Sequence, residues 1–310
     1  MFSPFLGRAR RAARSLAAAV LVGWALAAQA AVEAVDDTGA TVALAAPAKR
    51  VVSLAPHATE LLFAAGAGGR VVGVVDTSDW PPEARALPRV GDARALDLER
   101  IFALDPDLVV TWPYTAPAQV ERLRSRGIAV FMTDPKTIEG IAVDLDRLGA
   151  LLGTQTIAHP AAADLRRRLA KVRLDGAGKR PLAVFYEIWP SPLFTIGGAH
   201  LITQALAACG GTNVFATLAL PAPTVSIEAV LAAGPEVIVA AADDGLRPAW
   251  LEEWKRWTAL PAVARGNLLV VDGNLLHRPG PRFLDGVDQL CAALDVARRQ
   301  RPGSLAEPRR

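Results

Sequence analysis

Aromatic side chains make up only 6% of this 310-residue chain, and cysteine occurs twice. With so few rings the core must be built mainly from Ala, Val and Leu, and two cysteines exclude a small disulfide-stapled scaffold. No G-x-S-x-G elbow and no P-loop is present, so the signatures of a serine hydrolase and a P-loop nucleotidase are both missing. The run Gly66-Ala67-Gly68-Gly69 follows a helical pattern and precedes a strand, the wrong side for cradling phosphate; it reads as a helix stop. The four histidines, His57, His159, His200 and His277, show neither an H-E-x-x-H pair nor any other close metal spacing. His159, beside a proline, is expected to be solvated.

What is present is a chain 52% apolar and 21% charged, which excludes disorder, with a length that suits two α/β domains. A formal charge of +3 hints at an anionic partner. Arg8, Arg10, Arg11 and Arg14 account for that hint, because they precede an uncharged apolar run from Leu16 to Ala28 and then Ala28-Gln29-Ala30. That is the layout of a secretory signal peptide cut after Ala30, and the apolar run is too short to span a bilayer. Beyond it no stretch of membrane-spanning length is free of charge. The mature chain carries 30 basic against 31 acidic residues, so nucleic acid is an unsupported partner.

Export also bears on Cys209 and Cys291. One bridge is the leading expectation in an oxidising compartment, and two buried thiols that never meet are the alternative. Neither lies just after the leader, so no lipid anchor is expected, and the mature protein should be soluble outside the inner membrane.

From Arg50 onward, short apolar strands alternate with helical spacing. Strands are expected at 50–54, 71–75, 108–111, 129–132, 182–186, 237–240 and 268–271, with helices between them, the first capped by Thr59. Continuous apolar strands separated by helices predict parallel sheets covered on both faces. Between Thr137 and Leu174 strands are replaced by helical periodicity. The expected organisation is a leader at 1–30, an α/β lobe at 31–136, a helical connector at 137–178, a second α/β lobe at 179–297 and a flexible tail at 298–310.

The two lobes echo one another. Residues 98–110 read LERIFALDPDLVV and residues 227–239 read IEAVLAAGPEVIV. Each is a helix stopped before a proline and running into a buried strand, with Glu99 and Glu228 at equivalent places. Two such lobes predict a ligand cleft beyond the carboxyl ends of their strands. Thr77, Trp80, Trp112, Tyr114 and Trp189 fall at those edges, as do Asp272 to Arg278. Flat rings beside polar groups suit a large, partly apolar ligand. His57, His200 and His277 also fall in loops near the cleft, as candidate ligands to a metal or haem or as plain surface residues. A secreted metal-dependent hydrolase built on them is the enzyme-class alternative.

The runs RVVSLAPHATELLFAAG, SDWPP, LDLERIFALDPDLVV, CGGTNVF and VSIEAVLAAGPEVIV resemble the periplasmic vitamin-binding proteins of cobalamin ABC importers, and the likeness covers nearly all the mature chain. The resemblance implies two Rossmann-like lobes with central parallel sheets joined by a long backbone helix, a Cys209–Cys291 disulfide, and Glu99 and Glu228 facing arginines of a membrane permease. It implies a monomeric, non-enzymatic protein without a cofactor, whose transported ligand is cobalamin or a related corrinoid. Trp112 and Trp189 would stack on that ligand, while Asp272, Asn274 and Arg278 meet its amide rim. Three ring-bearing cradle positions of the family are matched here by Thr77, Ala93 and Ala222, which carry no ring. That departure keeps a ferric siderophore or haem open as the alternative ligand.

Overall fold

The computed structural model describes residues 31–92, 95–242 and 246–300. The expected leader, Ala93 and residues 301–310 lie outside the described residues. The chain opens with an antiparallel hairpin, β1 (Val32–Val35) and β2 (Thr41–Leu44). Its turn is fixed by Asp36 Oδ1, which accepts from the backbone of Thr38 and Ala40 and from the Thr38 hydroxyl.

The first lobe follows as β3 (Val51–Ser53), α1 (Pro56–Ala64), β4 (Val71–Val74), α2 (Leu98–Ala103), β5 (Leu108–Thr111), α3 (Pro117–Arg124) and β6 (Ala129–Met132). Its sheet is parallel throughout, in the order β4-β3-β5-β6. Every residue of β3 and β5 is buried, which explains why these strands read as unbroken apolar runs.

Two helices connect the lobes, α4 (Ile138–Leu152) and α5 (Gln155–Gly176). Thr137 caps α4 by accepting from the Gly140 amide, and Gly153 ends it at φ +63°. A methyl group on Gly149 would stand 2.4 Å from Ala158 Cβ, so glycine there lets the two helices approach. Their apolar faces belong to one continuous core that runs from Val51 and Leu108 in the first sheet to Val184 and Val237 in the second. A connector sharing its core with both lobes is stiff, because bending it would open packed surface to water.

The second lobe comprises β7 (Leu182–Pro190), β8 (Leu193–Thr195), α6 (Leu201–Ala208), β9 (Gly211–Asn213), α7 (Ile227–Ala233), β10 (Val237–Ala242), α8 (Pro261–Ala264), β11 (Leu268–Asp272), α9 (Gly273–Leu276) and α10 (Phe283–Arg299). Strands β11, β10 and β7 are parallel; β9 runs parallel to the start of β7, and β8 antiparallel to its end. Cys209 and Cys291 are joined in a disulfide, Cα to Cα 4.8 Å, tying the end of α6 to α10. α10 runs on through Arg298 and Arg299, beyond the point where the tail is expected to begin. Arg298 Nη2 donates to the carbonyls of Cys209 and Gly210 at 2.6 and 2.8 Å.

The sequence echo is also an echo of backbone. Asp97 caps α2 and Ser226 caps α7, each accepting from the amide three residues on. Asp105 at φ +46° and Gly234 at φ +55° then turn the chain before the proline that precedes the central strand of each sheet. One expected detail is corrected. Thr59 does not cap α1, which starts at Pro56 with no side-chain cap. A proline at the first helical position needs no donor partner, and Thr59 instead bonds Ser53 and Ser78 inside the lobe at 2.8 Å.

Candidate ligand-binding cleft

The carboxyl ends of the strands in both lobes face a common cleft. A cavity of about 470 Å³ there is lined from the first lobe by His57, Trp112, Tyr114 and Thr133, and from the second by His200, Pro221 and His277. Trp112 follows β5 directly, and its ring centre lies 5.5 Å from that of His57 and 4.8 Å, edge-on, from that of Tyr114. Tyr114 is 75% exposed, so a large ring stands open at the mouth. Such rings are an apolar platform for a flat ligand.

The three cleft histidines therefore do meet at one cavity, although 220 residues separate the first from the last. His57 is buried, and desolvation drives its pKa down to about 4; a hydrogen bond to the Thr133 backbone opposes this, and the Arg278 charge adds to it. His200 is held at about 4 by burial, with the His277 charge acting in the same direction. His277 Nε2 lies 3.1 Å from the Tyr186 hydroxyl, whose own pKa is raised by burial. At neutral pH His57 and His200 are uncharged rings and Tyr186 an uncharged phenol. Among the described residues no group of three or more His, Cys, Asp and Glu side chains is disposed to hold a metal ion.

The loop after β11 is occupied with its own structure. Asp272 caps α9 by accepting from the Asn274 amide at 2.8 Å, and Asn274 Oδ1 accepts from Arg278 Nη2 at 2.8 Å. Arg278 also reaches across the cleft to Asp79, whose pKa falls because this hydrogen bond and charge together outweigh the effect of partial burial. A second bridge joins the lobes nearby. Arg282 donates to Glu60 through Nη2 at 2.6 Å and Nε at 3.1 Å, and its guanidinium lies 4.5 Å from the centre of the Trp80 ring. Burial raises the pKa of Glu60 against the pull of Arg282.

The expected ring cluster is thus divided. Trp112 and Tyr114 share the first cavity, whereas Trp80 lines a second, of about 640 Å³, with Phe63, Leu87 and Arg282. Trp189 lines neither; it sits exposed at the end of β7, its indole N–H donating to the Ser191 carbonyl at 3.2 Å. Thr77 is exposed just ahead of Ser78 and Asp79, and Ala222 is exposed beside Pro221. Glu60, Asp79 and Arg282 were not legible as partners, since their ion pairs span 199 and 222 residues of chain.

Away from the cleft, Glu99 and Glu228 are exposed in the first turns of α2 and α7. Hydrogen bonds from its own backbone amide and from Ser226 keep the Glu228 pKa low. A helix N-terminus favours a carboxylate in its first turn.

Two α/β lobes, a helical connector and a cleft between them define a binding protein. The model of the periplasmic binding protein family matches residues 51–275, and the chain belongs to that family. It is 36% identical over 256 residues to the vitamin B12-binding protein of Vibrio cholerae, across 82% of this chain and 92% of that one. The solved structure of the periplasmic vitamin B12-binding protein of Vibrio cholerae superposes with a TM-score of 0.74 at 35% identity, covering 82% of this chain and 99% of that one. A periplasmic heme-binding protein from Roseiflexus sp. RS-1 superposes at 0.71 with 27% identity, covering 80% and 98%. No helix among the described residues is long and apolar enough to cross a membrane.

Proposed function

We propose that this chain is the periplasmic substrate-binding protein of an ABC importer, delivering cobalamin or a related corrinoid and catalysing no reaction. The observation that carries the reading is the two-lobed cavity floored by Trp112 and edged by Tyr114, in a chain 36% identical to a vitamin B12-binding protein. A corrin is a broad, slightly ruffled macrocycle with apolar faces and an amide rim, which asks for ring and methyl contacts below and hydrogen bonds at the edge. Trp112 and Tyr114 supply the first. His57 and His200 supply the second, while Asn274 and Arg278 stay bonded to each other and to Asp79 beside the cavity. Trp80 and Trp189 would reach only the outlying parts of the ligand, at the flanks of the cleft.

Glu99 and Glu228 are the proposed contacts to the permease, each a charge-assisted bond to an arginine that sets orientation and on-rate more than affinity. The mature protein acts as a monomer in this role, released from its leader after Ala30. Titration of the purified protein with cyanocobalamin by calorimetry is the test: the expected result is a saturable heat and a rise in melting temperature at micromolar ligand. No heat and no thermal shift would sink the corrinoid reading. The three histidines at one cavity favour haem as the second reading, and a Soret band in protein purified from haem-fed cells would select it.

A further inference from the structure

One backbone contact fixes the hydrogen-bonding character of the cavity. His200 is the N-cap of α6, and its Nδ1 accepts from the Ile202 amide at 3.1 Å. An amide N–H can only donate, so Nδ1 carries no proton, and in an uncharged ring the single proton is then on Nε2. Burial keeps the ring uncharged at neutral pH. The ring lines the cavity, and Nε2 is its remaining polar atom. A second donor is there too: Trp112 Nε1 is buried at the same cavity with no hydrogen-bond partner among the described residues. An indole N–H donates and never accepts.

The cations near the cleft are already matched. Lys136 at the cavity edge is paired with Asp134. Arg278 is paired with Asp79, and Arg282 with Glu60. The cavity therefore offers uncharged hydrogen-bonding groups, among them the His200 donor and the unpartnered His57 Nε2, and, among the described residues, no unpaired cation.

Resting on the corrinoid reading above, we propose that His200 is a specificity-determining residue whose Nε2–H donates to an uncharged amide carbonyl of the ligand, so that the cavity selects an amide-rimmed macrocycle over a carboxylate-rimmed one. An amide carbonyl accepts from the His200 Nε2–H without bringing a charge into the cleft. A carboxylate would be stripped of water there with no opposite charge to meet it.

Calorimetry with cyanocobalamin and with each cobalamin monocarboxylate, made by hydrolysing one propionamide side chain, tests this on the wild type and on His200→Asn. Asparagine keeps an acceptor for the helix N-terminus but is too short to reach the ligand. The expected result is a His200→Asn protein that melts with the wild type and binds cyanocobalamin about fivefold more weakly, the worth of one neutral hydrogen bond. Wild type should bind at least one monocarboxylate about tenfold more weakly than the intact amide, and the variant should lose much of that discrimination. Equal binding of cyanocobalamin by variant and wild type would overturn the role of His200, and so would equal binding of every monocarboxylate by the wild type, a measurement that needs no variant to fold. Failure of the wild type to bind cyanocobalamin at all would instead overturn the corrinoid reading, and the selectivity with it.

Discussion

Replacing Arg282 with methionine should expose how the lobes are held together. Glu60 is only 4% exposed, and the two Arg282 bonds at 2.6 and 3.1 Å are its close contacts; Arg278 Nη1 stands off at 3.7 Å. Met keeps an unbranched stem beside Trp80 but leaves the carboxylate with the more distant arginine alone. Stranding a buried charge costs about 3–5 kcal/mol, and with Arg278 still near the lower end, about 3 kcal/mol, is expected. The pH dependence gives the sharper test. Burial already raises the Glu60 pKa above its ordinary value of 4.5, and losing Arg282 raises it further. The folded state then holds its proton more readily than the unfolded state, so stability falls as pH rises through that window. The Arg282→Met penalty should therefore be largest near pH 8 and shrink toward pH 5. Urea denaturation followed by circular dichroism at both values measures it, and Glu60→Gln in the Arg282→Met background should recover most of the loss. A penalty that is the same at both pH values, or a double variant no more stable than the single one, would refute the role given to this pair.

Removing the disulfide as Cys209→Ala with Cys291→Ala frees a loop of 82 residues and should lower stability by about 4 kcal/mol in chemical denaturation; a loss below about 1 kcal/mol would show that the bridge constrains little. His57, neutral in the fold with its pKa lowered from 6.5 to about 4, contributes stability that is fully present above pH 6.5 and is lost as pH falls toward 4. His57→Gln should therefore narrow the gap to the wild type by about 3 kcal/mol over that range, and parallel stability curves would contradict it. Reversing both proposed docking charges, Glu99→Arg with Glu228→Arg, should abolish vitamin uptake in cells while calorimetry shows ligand binding intact; lost binding would remove these residues from the proposed permease role.

Legibility in the sequence followed locality. β5 and β10 were readable because both faces of each are buried, which leaves an unbroken apolar run, and because α2 and α7 stop at a proline in the same register. β8 and β9, three residues each, carry too few side chains for any period to show. They exist because β7 is nine residues long and offers its free edge to both. Thr59 departs from the expected cap because a threonine near a helix start looks the same whether it faces the helix or a neighbouring strand, and here Ser53 and Ser78 provide the partners. Trp112 and Tyr114 could be placed at the cleft from the end of one strand. Nothing local could separate Trp80 from them, since which cavity a ring joins depends on Arg282, more than two hundred residues away.

The placement of Glu99 and Glu228 follows from the same local grammar and bears on the proposed transport role. Each helix must reverse within a few residues, Leu104 to Asp107 in one lobe and Gly234 to Glu236 in the other, to enter a central strand of a parallel sheet. Helices that feed parallel strands in this way run antiparallel to them, so their N-termini lie toward the carboxyl ends of the strands. Those are the ends that carry Trp112 and, in the second lobe, the β11–α9 turn at Asp272. The glutamates in the first turns of α2 and α7 therefore stand on the side where the cleft opens, one on each lobe. A permease that grips both must straddle the mouth of the cavity, and because the connector shares a core with both lobes, the spacing between the two carboxylates is set by the fold before any ligand arrives.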